Sequence, residues 1–178
     1  MDEFEVTVIK DPLSALKECL HDNKIIGIQN KIIDTIYLPL YGHGKVVYPR
    51  SGLNQWNAKG RERDINEVYI PIPIKVHQKV PQFFPDRDTP FDLKLPNGNQ
   101  LQAKVCQSDS KALMSYSNKD LGKWILRDVL KLDSEKLLTY DMLKELGIDS
   151  VRIDKIDNSS YEINFSALDS YETFIEEN

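Results

Sequence analysis

The chain has 178 residues, 40% hydrophobic and 29% charged, which is ordinary for one soluble globular domain with a sizeable core. No stretch approaches the roughly 20 apolar residues of a membrane-spanning helix. The acidic start lacks the basic and apolar regions of a signal peptide. The two cysteines, Cys19 and Cys106, stand apart from any metal-binding pattern, which argues against structural zinc. We therefore expect two buried free thiols in a cytoplasmic protein.

Charge is distributed unevenly along a chain whose net charge is −5. Residues 1–40 carry 4 basic and 7 acidic groups, and residues 131–178 carry 5 and 12. Residues 41–75 carry 6 basic and 3 acidic groups, and residues 76–130 carry 8 and 6. Because salt screens exposed charges over about 8 Å, the cationic middle matters more than the net charge for binding an anionic partner.

The first half of the chain predicts one helix and several strands. Asp11 is a favourable N-cap before Pro12, and the apolar spacing that follows predicts a helix over residues 12–21. Runs rich in isoleucine and valine predict strands at residues 24–30, 31–40, 45–48 and 67–74. Pro71 and Pro73 remove backbone donors from one side of the last strand, which indicates an edge or a bulge. A helical turn is expected over residues 75–80.

The second half predicts two hairpins and two helices. The Asn97-Gly98 pair is typical of a tight turn between strands. Alternating patterns predict strands at residues 91–95, 101–106, 112–116, 150–156 and 160–165. An amphipathic helix is expected over residues 121–132, with Ser117 or Asn118 as its cap and Trp124 in the core. A helix over residues 140–146 should end at Gly147, and the acidic tail, residues 169–178, is expected to be a loosely docked helix.

These elements indicate one mainly β domain. Seven or eight short strands joined mostly by hairpins predict a mostly antiparallel sheet that is closed or half closed. No repeat, low-complexity segment or internal linker interrupts it.

Known catalytic patterns do not fit the sequence. His43 and Lys45 begin like the HxKxxxxD motif of phospholipase D-type enzymes, but Arg50 stands where the aspartate belongs. Asp149 and the Asp154-Lys155 pair resemble a metal-dependent nuclease pattern only loosely, since alternating charges are usual on a solvated strand. Phosphate-binding loops, nucleophile elbows and HExxH motifs are missing. We expect no catalysis, no cofactor and no metal in this chain.

Residues 51–63, SGLNQWNAKGRER, form a polar and cationic loop between two predicted strands. Asn and Gln pair bidentately with adenine, and Arg and Lys reach guanine or phosphate. An ordinary polar surface loop is the competing interpretation. A second polar stretch runs from Gln107 to Lys119 and ends at a predicted helix start, where backbone N–H groups favour a phosphate. On a half-closed barrel, the two stretches would project from one face and bind a duplex from both sides.

Five segments in order carry a family resemblance: PRSGLNQW (49–56), EVYIPIP (67–73), LPNGNQLQAKVCQSDSKAL (95–113), YSNKDLGKWILRDVL (116–130) and LGIDSVRIDKIDNSSYEINFS (146–166). They resemble the B3-like DNA-binding domain at the C-terminus of phospholipase D-type, metal-independent type II restriction endonucleases. The plant B3 transcription factors share that fold. The resemblance covers roughly residues 45–166.

The resemblance implies a seven-stranded open pseudobarrel with two or more flanking α-helices. It implies two major-groove arms, the N-arm (50–63) and the C-arm (107–119). It also implies that cutting belongs to an N-terminal nuclease domain of a parent protein, absent from this chain. We expect a B3-like domain over residues 45–178, monomeric in isolation, and an extension or linker remnant over residues 1–44.

The resemblance and the residue chemistry together assign expected DNA contacts. Arg61, Arg63 and Lys111 suit guanine or phosphate, Gln55, Asn57 and Gln107 suit base edges, and Asp109 suits cytosine. Asn54 is instead expected to hold its own loop. The full set of expected DNA-binding residues is Arg50, Ser51, Gln55, Trp56, Asn57, Lys59, Arg61, Arg63, Gln107, Asp109, Lys111, Ser117, Asn118 and Lys119. The alternative is a pseudobarrel that binds RNA or a modified base.

Overall fold

A computed structural model describes residues 31–177, which are built around one seven-stranded sheet. The strands are β1 (Asp34–Pro39), β2 (Ile70–Pro71), β3 (Phe91–Lys94), β4 (Gln100–Cys106), β5 (Ala112–Ser115), β6 (Ile148–Lys155) and β7 (Ser160–Ala167). The helix and strand predicted over residues 12–21 and 24–30, and Cys19, lie outside the described residues.

The sheet curls into a nearly closed barrel. Its order is β1-β6-β7-β3-β4-β5-β2, and every neighbouring pair is antiparallel except β3 and β7. The two end strands, β1 and β2, also approach each other, so the barrel is left open only along that seam. The predicted seven-stranded, mainly β open pseudobarrel is therefore confirmed.

Apolar side chains that alternate along the strands fill the barrel. Ile36 and Leu38 of β1, Leu93 of β3 and Ile153 of β6 are at most 2% exposed. Tyr161 is buried beside Phe91, with ring centroids 4.8 Å apart, and its hydroxyl donates to the carbonyl oxygen of Phe83 at 2.8 Å. Burial raises the pKa of Tyr161 to about 12. The phenol thus remains a neutral donor at physiological pH.

Four helical segments cover the barrel: α1 (Ile74–Lys79), α2 (Asp120–Gly122, continued by π-helical turns over Lys123–Val129), α3 (Tyr140–Leu146) and α4 (Ser170–Glu176). Trp124 is 4% exposed and packs on Phe165, as expected of a core residue. The predicted end of α3 is confirmed, because Gly147 adopts φ 73° there. The tail helix is docked more firmly than predicted, since Phe174 is 8% exposed.

Two strand predictions are wrong. Only Ile70–Pro71 of the apolar run 67–74 is a strand, because Pro71 and Pro73 lack the N–H groups that would extend the ladder. Residues 45–48 contribute only an isolated bridge from Val46 to Gly42. The edge position predicted for the proline-containing strand is confirmed, because β2 ends the sheet order.

Strand β1 begins at Asp34, and the compact unit that contains it begins at Lys31. The strand is held by its long-range pairing with β6, since Thr35 faces Asp154 in the register. No local sequence pattern predicts that β1 pairs with a strand so far along the chain.

Gly122 provides a test of packing beneath the segment that enters β2. A Cβ at Gly122 would overlap the carbonyl oxygen of Asn66 and lie 3.0 Å from Cγ2 of Val68. Gly122→Ala should lower the free energy of unfolding by about 1–3 kcal/mol. Backbone overlap should outweigh the roughly 1 kcal/mol that alanine gains in a helix. Urea unfolding measures this, with Lys123→Ala, the exposed neighbour, as the control. Equal stability of both variants would contradict the packing.

Candidate nucleic-acid interface

The N-arm is anchored at its root by a buried asparagine. Asn54 is completely buried, and its Nδ2 donates to the carbonyl oxygens of Tyr48 at 3.2 Å and Leu138 at 2.9 Å. Its Oδ1 accepts from the amide of Leu138 at 2.9 Å. Asn54 therefore holds the loop, but it binds the backbone of Tyr48 and of the distant Leu138, and not its own backbone as expected. The 3₁₀ helix Gly52–Asn57 is thereby fixed to the body of the domain.

A buried carboxylate collects three side chains of the N-arm. Glu67 is 3% exposed, and Gln55 donates its Nε2 to Oε1 of Glu67 at 2.9 Å. Arg61 donates from Nη1 to Oε2 at 3.0 Å and from Nη2 to Oε1. Nε of Arg63 lies 3.5 Å from Oε1. One buried charge thus determines where these arm residues sit.

Other arm side chains are directed at the backbone or into the domain. Arg63 is 15% exposed and donates to the carbonyl oxygen of Ala58 at 2.9 Å. Asn57 donates to the carbonyl oxygen of Pro49 at 2.9 Å. Trp56 is half-buried against the core. These contacts hold the loop in one conformation.

Seven of the expected DNA contacts are exposed side chains without an internal partner. Within residues 31–177, none of their side chains makes a hydrogen bond or an ion pair. They are Arg50, Lys59, Gln107, Asp109, Lys111, Asn118 and Lys119. Ser51 is half-buried. Both arms therefore present free polar groups at the surface, two from the N-arm and five from the C-arm.

The first half of the C-arm is a strained turn between β4 and β5. Gln107 adopts φ 66° and ψ 174°, a region that glycine occupies almost exclusively. Asp109 and Ser110 also have positive φ, at 58° and 52°. The carbonyl oxygen of Ser110 lies 3.3 Å from Nε2 of His77. A loop that needed only to reverse direction would use glycine here.

The second half of the C-arm leads into α2. The hydroxyl of Ser117 accepts from the amide of Asp120 at 3.3 Å, and buried Ser115 accepts from the amide of Leu121 at 3.1 Å. The N-cap of α2 is Lys119, so the cap predicted at Ser117 or Asn118 is wrong, although Ser117 accepts from the first helical amide. Asn118, with φ 67°, and Lys119 remain exposed beside these caps.

Both arms are attached to the short segment around β2. The amide of Tyr69 donates to the carbonyl oxygen of Gly52 at 3.2 Å. The amide of Ile72 donates to the carbonyl oxygen of Lys111 at 2.8 Å. The Tyr69 side chain packs on an outward-facing cluster formed by Cys106, Ala112 and Met114. The arm roots therefore share one rigid support.

The two halves of the C-arm lie at opposite ends of β5. At about 3.3 Å per residue, the four residues of β5 separate them by roughly 13 Å. The antiparallel pairing of β2 with β5 places the second half beside the N-arm root. The first half, with Gln107, Asp109 and Lys111, instead lines a groove of about 370 Å³ beside Tyr69.

Cys106, the one cysteine within the described residues, is buried beneath this groove and free. Burial raises the pKa of its thiol, although Lys104 opposes the shift. The buried free thiol predicted here is confirmed.

Acidic side chains cluster at a different position, where Asp149, Asp169 and Glu172 lie together. The ammonium of Lys45 lies among them, bonded to Asp169, 3.5 Å from Glu172 and 3.7 Å from Asp149. The bond to Asp169 is the main reason that the pKa of Lys45 is raised. Burial, reinforced by a hydrogen bond to Glu172, raises the pKa of Tyr41. The ammonium of Lys45 thus already offsets part of the negative charge of this cluster.

Two residues of the site were missed by sequence reasoning. The apolar run 67–74 predicts only a buried strand for Glu67, although its spacing of four residues from Arg63 is typical of an ion pair. Arg127 was treated as part of an amphipathic helix. Its guanidinium donates to Asn66 Oδ1 at 2.9 Å and to the carbonyl oxygen of Ile65 at 2.8 Å, and burial lowers its pKa. No sequence signal linked Arg127 to the arm.

Comparison with known proteins gives a family match over most of the chain. The family model NgoFVII C-terminal B3-like DNA-binding domain matches residues 28–157. The resemblance predicted from the sequence is therefore confirmed. No curated protein matches the chain. Among solved structures, the hypothetical Arabidopsis thaliana protein At1g16640.1 aligns with 75% of this chain and 90% of its own, at 8% identity and a TM-score of 0.34.

The anchoring of the N-arm is tested by Asn54→Ala. This change leaves the Leu138 amide and two carbonyl oxygens without their partner, and each unpaired buried group costs about 1–3 kcal/mol. We expect a loss of about 2 kcal/mol or more in urea unfolding. Asn57→Ala, an exposed asparagine of the same arm, is the matched control and should cost less than about 1 kcal/mol. Similar losses for the two variants would show that Asn54 is not the anchor.

Proposed function

The chain belongs to the NgoFVII C-terminal B3-like DNA-binding domain family, and on that premise we propose that it recognises a specific double-stranded DNA sequence. The N-arm and the C-arm enter the major groove. The chain then serves as the target-recognition domain of a restriction endonuclease whose nuclease domain is not contained in it. It acts as a cytoplasmic monomer when isolated from such a parent.

The set of exposed, internally unpaired arm side chains carries this proposal. Arg50, Lys59, Lys111 and Lys119 are cations with no acidic partner within residues 31–177, so their charge is available to phosphates. Gln107 and Asp109 bring base-reading chemistry to the same surface, as acceptors or donors for adenine and cytosine. Binding is supplied by the cations and sequence selection by the polar side chains.

The dimensions of the support suit a duplex. The two halves of the C-arm are separated along β5 by roughly 13 Å, and the major groove is about 12 Å wide. Side chains at both ends of β5 therefore reach opposite walls of one groove or the adjacent backbone. The strained backbone at Gln107 supports a functional role for the turn, since such strain concentrates at binding sites.

The proposal places cleavage elsewhere. Arg50 replaces the aspartate that an HxKxxxxD motif would need after His43 and Lys45. Lys45 is instead bound to the carboxylates of Asp149, Asp169 and Glu172, so it is not available to hold a substrate phosphate. The chain recognises the DNA sequence, and a partner domain carries out hydrolysis.

Selection from a random duplex pool tests the proposal. The full chain should enrich one short DNA sequence, which we expect to be asymmetric, because a monomer imposes no twofold symmetry. The enriched duplex should outcompete the same sequence as RNA duplex and as single strands. Preferential competition by RNA, or enrichment of no sequence, would contradict it.

Salt dependence tests the assignment of phosphate contacts. Lys59→Ala and Lys111→Ala should each weaken binding to all sequences alike and reduce the slope of log affinity against log salt by about one. The matched control is Lys144→Ala on α3, an exposed lysine outside both arms, which should leave the slope unchanged. An equal change in all three slopes would show that general charge, and not the arms, determines binding.

A further inference from the structure

Arg61 has one edge of its guanidinium occupied and another edge free. Nη1 and Nη2 bind the carboxylate of Glu67, and Nη1 also donates to the carbonyl oxygen of Glu62 at 3.0 Å. Arginine carries five N–H donors in a fixed planar fork. The Nε–H and the second Nη2–H make no hydrogen bond within residues 31–177, and 55% of the side chain is exposed. These two donors form a second bidentate edge.

The position of this free edge is set by a carboxylate that cannot easily move. Glu67 is 4% exposed at its side chain and also receives Nε2 of Gln55 at 2.9 Å. Its segment is fixed by the bond from the Tyr69 amide to Gly52 and by Arg127, which binds Asn66. The conformational entropy of a long arginine is therefore lost on folding, before a ligand arrives.

The chemistry of the free edge fits guanine. O6 and N7 of guanine are two acceptors that a bidentate arginine matches in the major groove. A phosphate also accepts from two N–H groups. However, Glu67 offsets the charge of Arg61, whereas Arg50 and Lys59 of the same arm carry no such counter-charge. A fixed arginine whose charge is partly offset contributes hydrogen-bond geometry more than long-range attraction, and a base contact depends on that geometry.

We propose that Glu67 is a positioning residue for DNA recognition, whose buried carboxylate holds Arg61 so that Nε and Nη2 present paired donors to one guanine. This inference rests on the proposed function. It adds that one position of the recognised sequence is guanine and that an acid which never touches DNA determines the preference there.

The experiment repeats selection from the random duplex pool with the full chain and its variants, scoring base preference at every position. Arg61→Ala should reduce the guanine preference at one position by about 5- to 150-fold, the discrimination of one bidentate contact. Glu67→Gln should reduce the preference at the same position, because an amide offers one acceptor and turns its N–H groups toward the arginine. Arg61→Ala combined with Glu67→Gln should be no worse than Arg61→Ala, because Glu67 acts through Arg61.

Two further variants separate positioning from loss of folding. Glu67→Asp keeps the charge but withdraws the carboxylate by one methylene, so it should weaken the same preference even if Glu67→Gln unfolds the arm. Glu162 is an acid on β7 that pairs with Lys94. Its substitution Glu162→Gln is the matched charge control and should change no base preference. Thermal unfolding of each variant shows whether it is folded. Collapse of the N-arm would relax every position that the arm reads, whereas lost positioning relaxes the guanine most, with smaller changes only where Gln55 and Arg63 make contact.

The possible results test the role of Glu67 separately from the recognition of DNA by the chain. Loss of the guanine preference in Arg61→Ala but not in Glu67→Gln or Glu67→Asp overturns the role of Glu67 and leaves the proposed function intact. Unchanged preference in Arg61→Ala, or a uniform loss across sequences with a shallower salt slope, overturns guanine reading in favour of no contact or a phosphate contact. Failure of the unaltered chain to select any duplex overturns both.

Discussion

The proposed interface depends on the backbone of the segment from Glu67 to Ile72. Alternate amides of a strand point in opposite directions. The amide of Tyr69 points to one side and holds Gly52 of the N-arm, and the amide of Ile72 points to the other side and holds Lys111 of the C-arm. Pro71 and Pro73 occupy the positions that would otherwise donate on the same side as Tyr69. The sheet therefore stops at this segment, and the chain on its open side is free to form an arm.

A strand this short makes few backbone hydrogen bonds, and buried polar side chains add further contacts that hold it. Asn54 ties the N-arm to the backbone of Leu138, and Glu67 ties Gln55, Arg61 and Arg63 to the strand entry. The two networks are not equally complete: both side-chain groups of Asn54 are paired, whereas Oε1 of Gln55 and Nε of Arg63 are buried without a hydrogen-bond partner within residues 31–177. Here they leave the outer groups of the arm unpaired, including Lys59 and the free edge of Arg61. Rigidity at the root and free donors at the surface together reduce the entropy that binding must overcome.

Sequence reasoning was strongest where a local pattern decides the structure. The Asn97-Gly98 turn, the Gly147 end of α3 and the buried Trp124 follow from residue chemistry within a few positions, and each was predicted. It was weakest where the determinant is distant in sequence. The pairing of β1 with β6 joins distant parts of the chain. Arg61 and Arg63 converge on Glu67, so residues expected only to contact DNA also bind a buried acid. The apolar composition of residues 67–74 favours a strand. The prolines nevertheless limit the strand to two residues, because side-chain propensity cannot replace a missing N–H donor.

The acidic net charge becomes compatible with DNA once the charges are placed on the barrel. Twelve of the 28 acidic residues lie in residues 131–178, which form β6, β7, α3 and α4. In the sheet order, β7 is separated from β5 and β2 by β3 and β4, so its one acid, Glu162, lies across the barrel from the arms, where it pairs with Lys94. With screening over about 8 Å at physiological salt, a duplex at the arms experiences mainly the local cations. The acidic net charge therefore does not prevent the arm surface from attracting a polyanion.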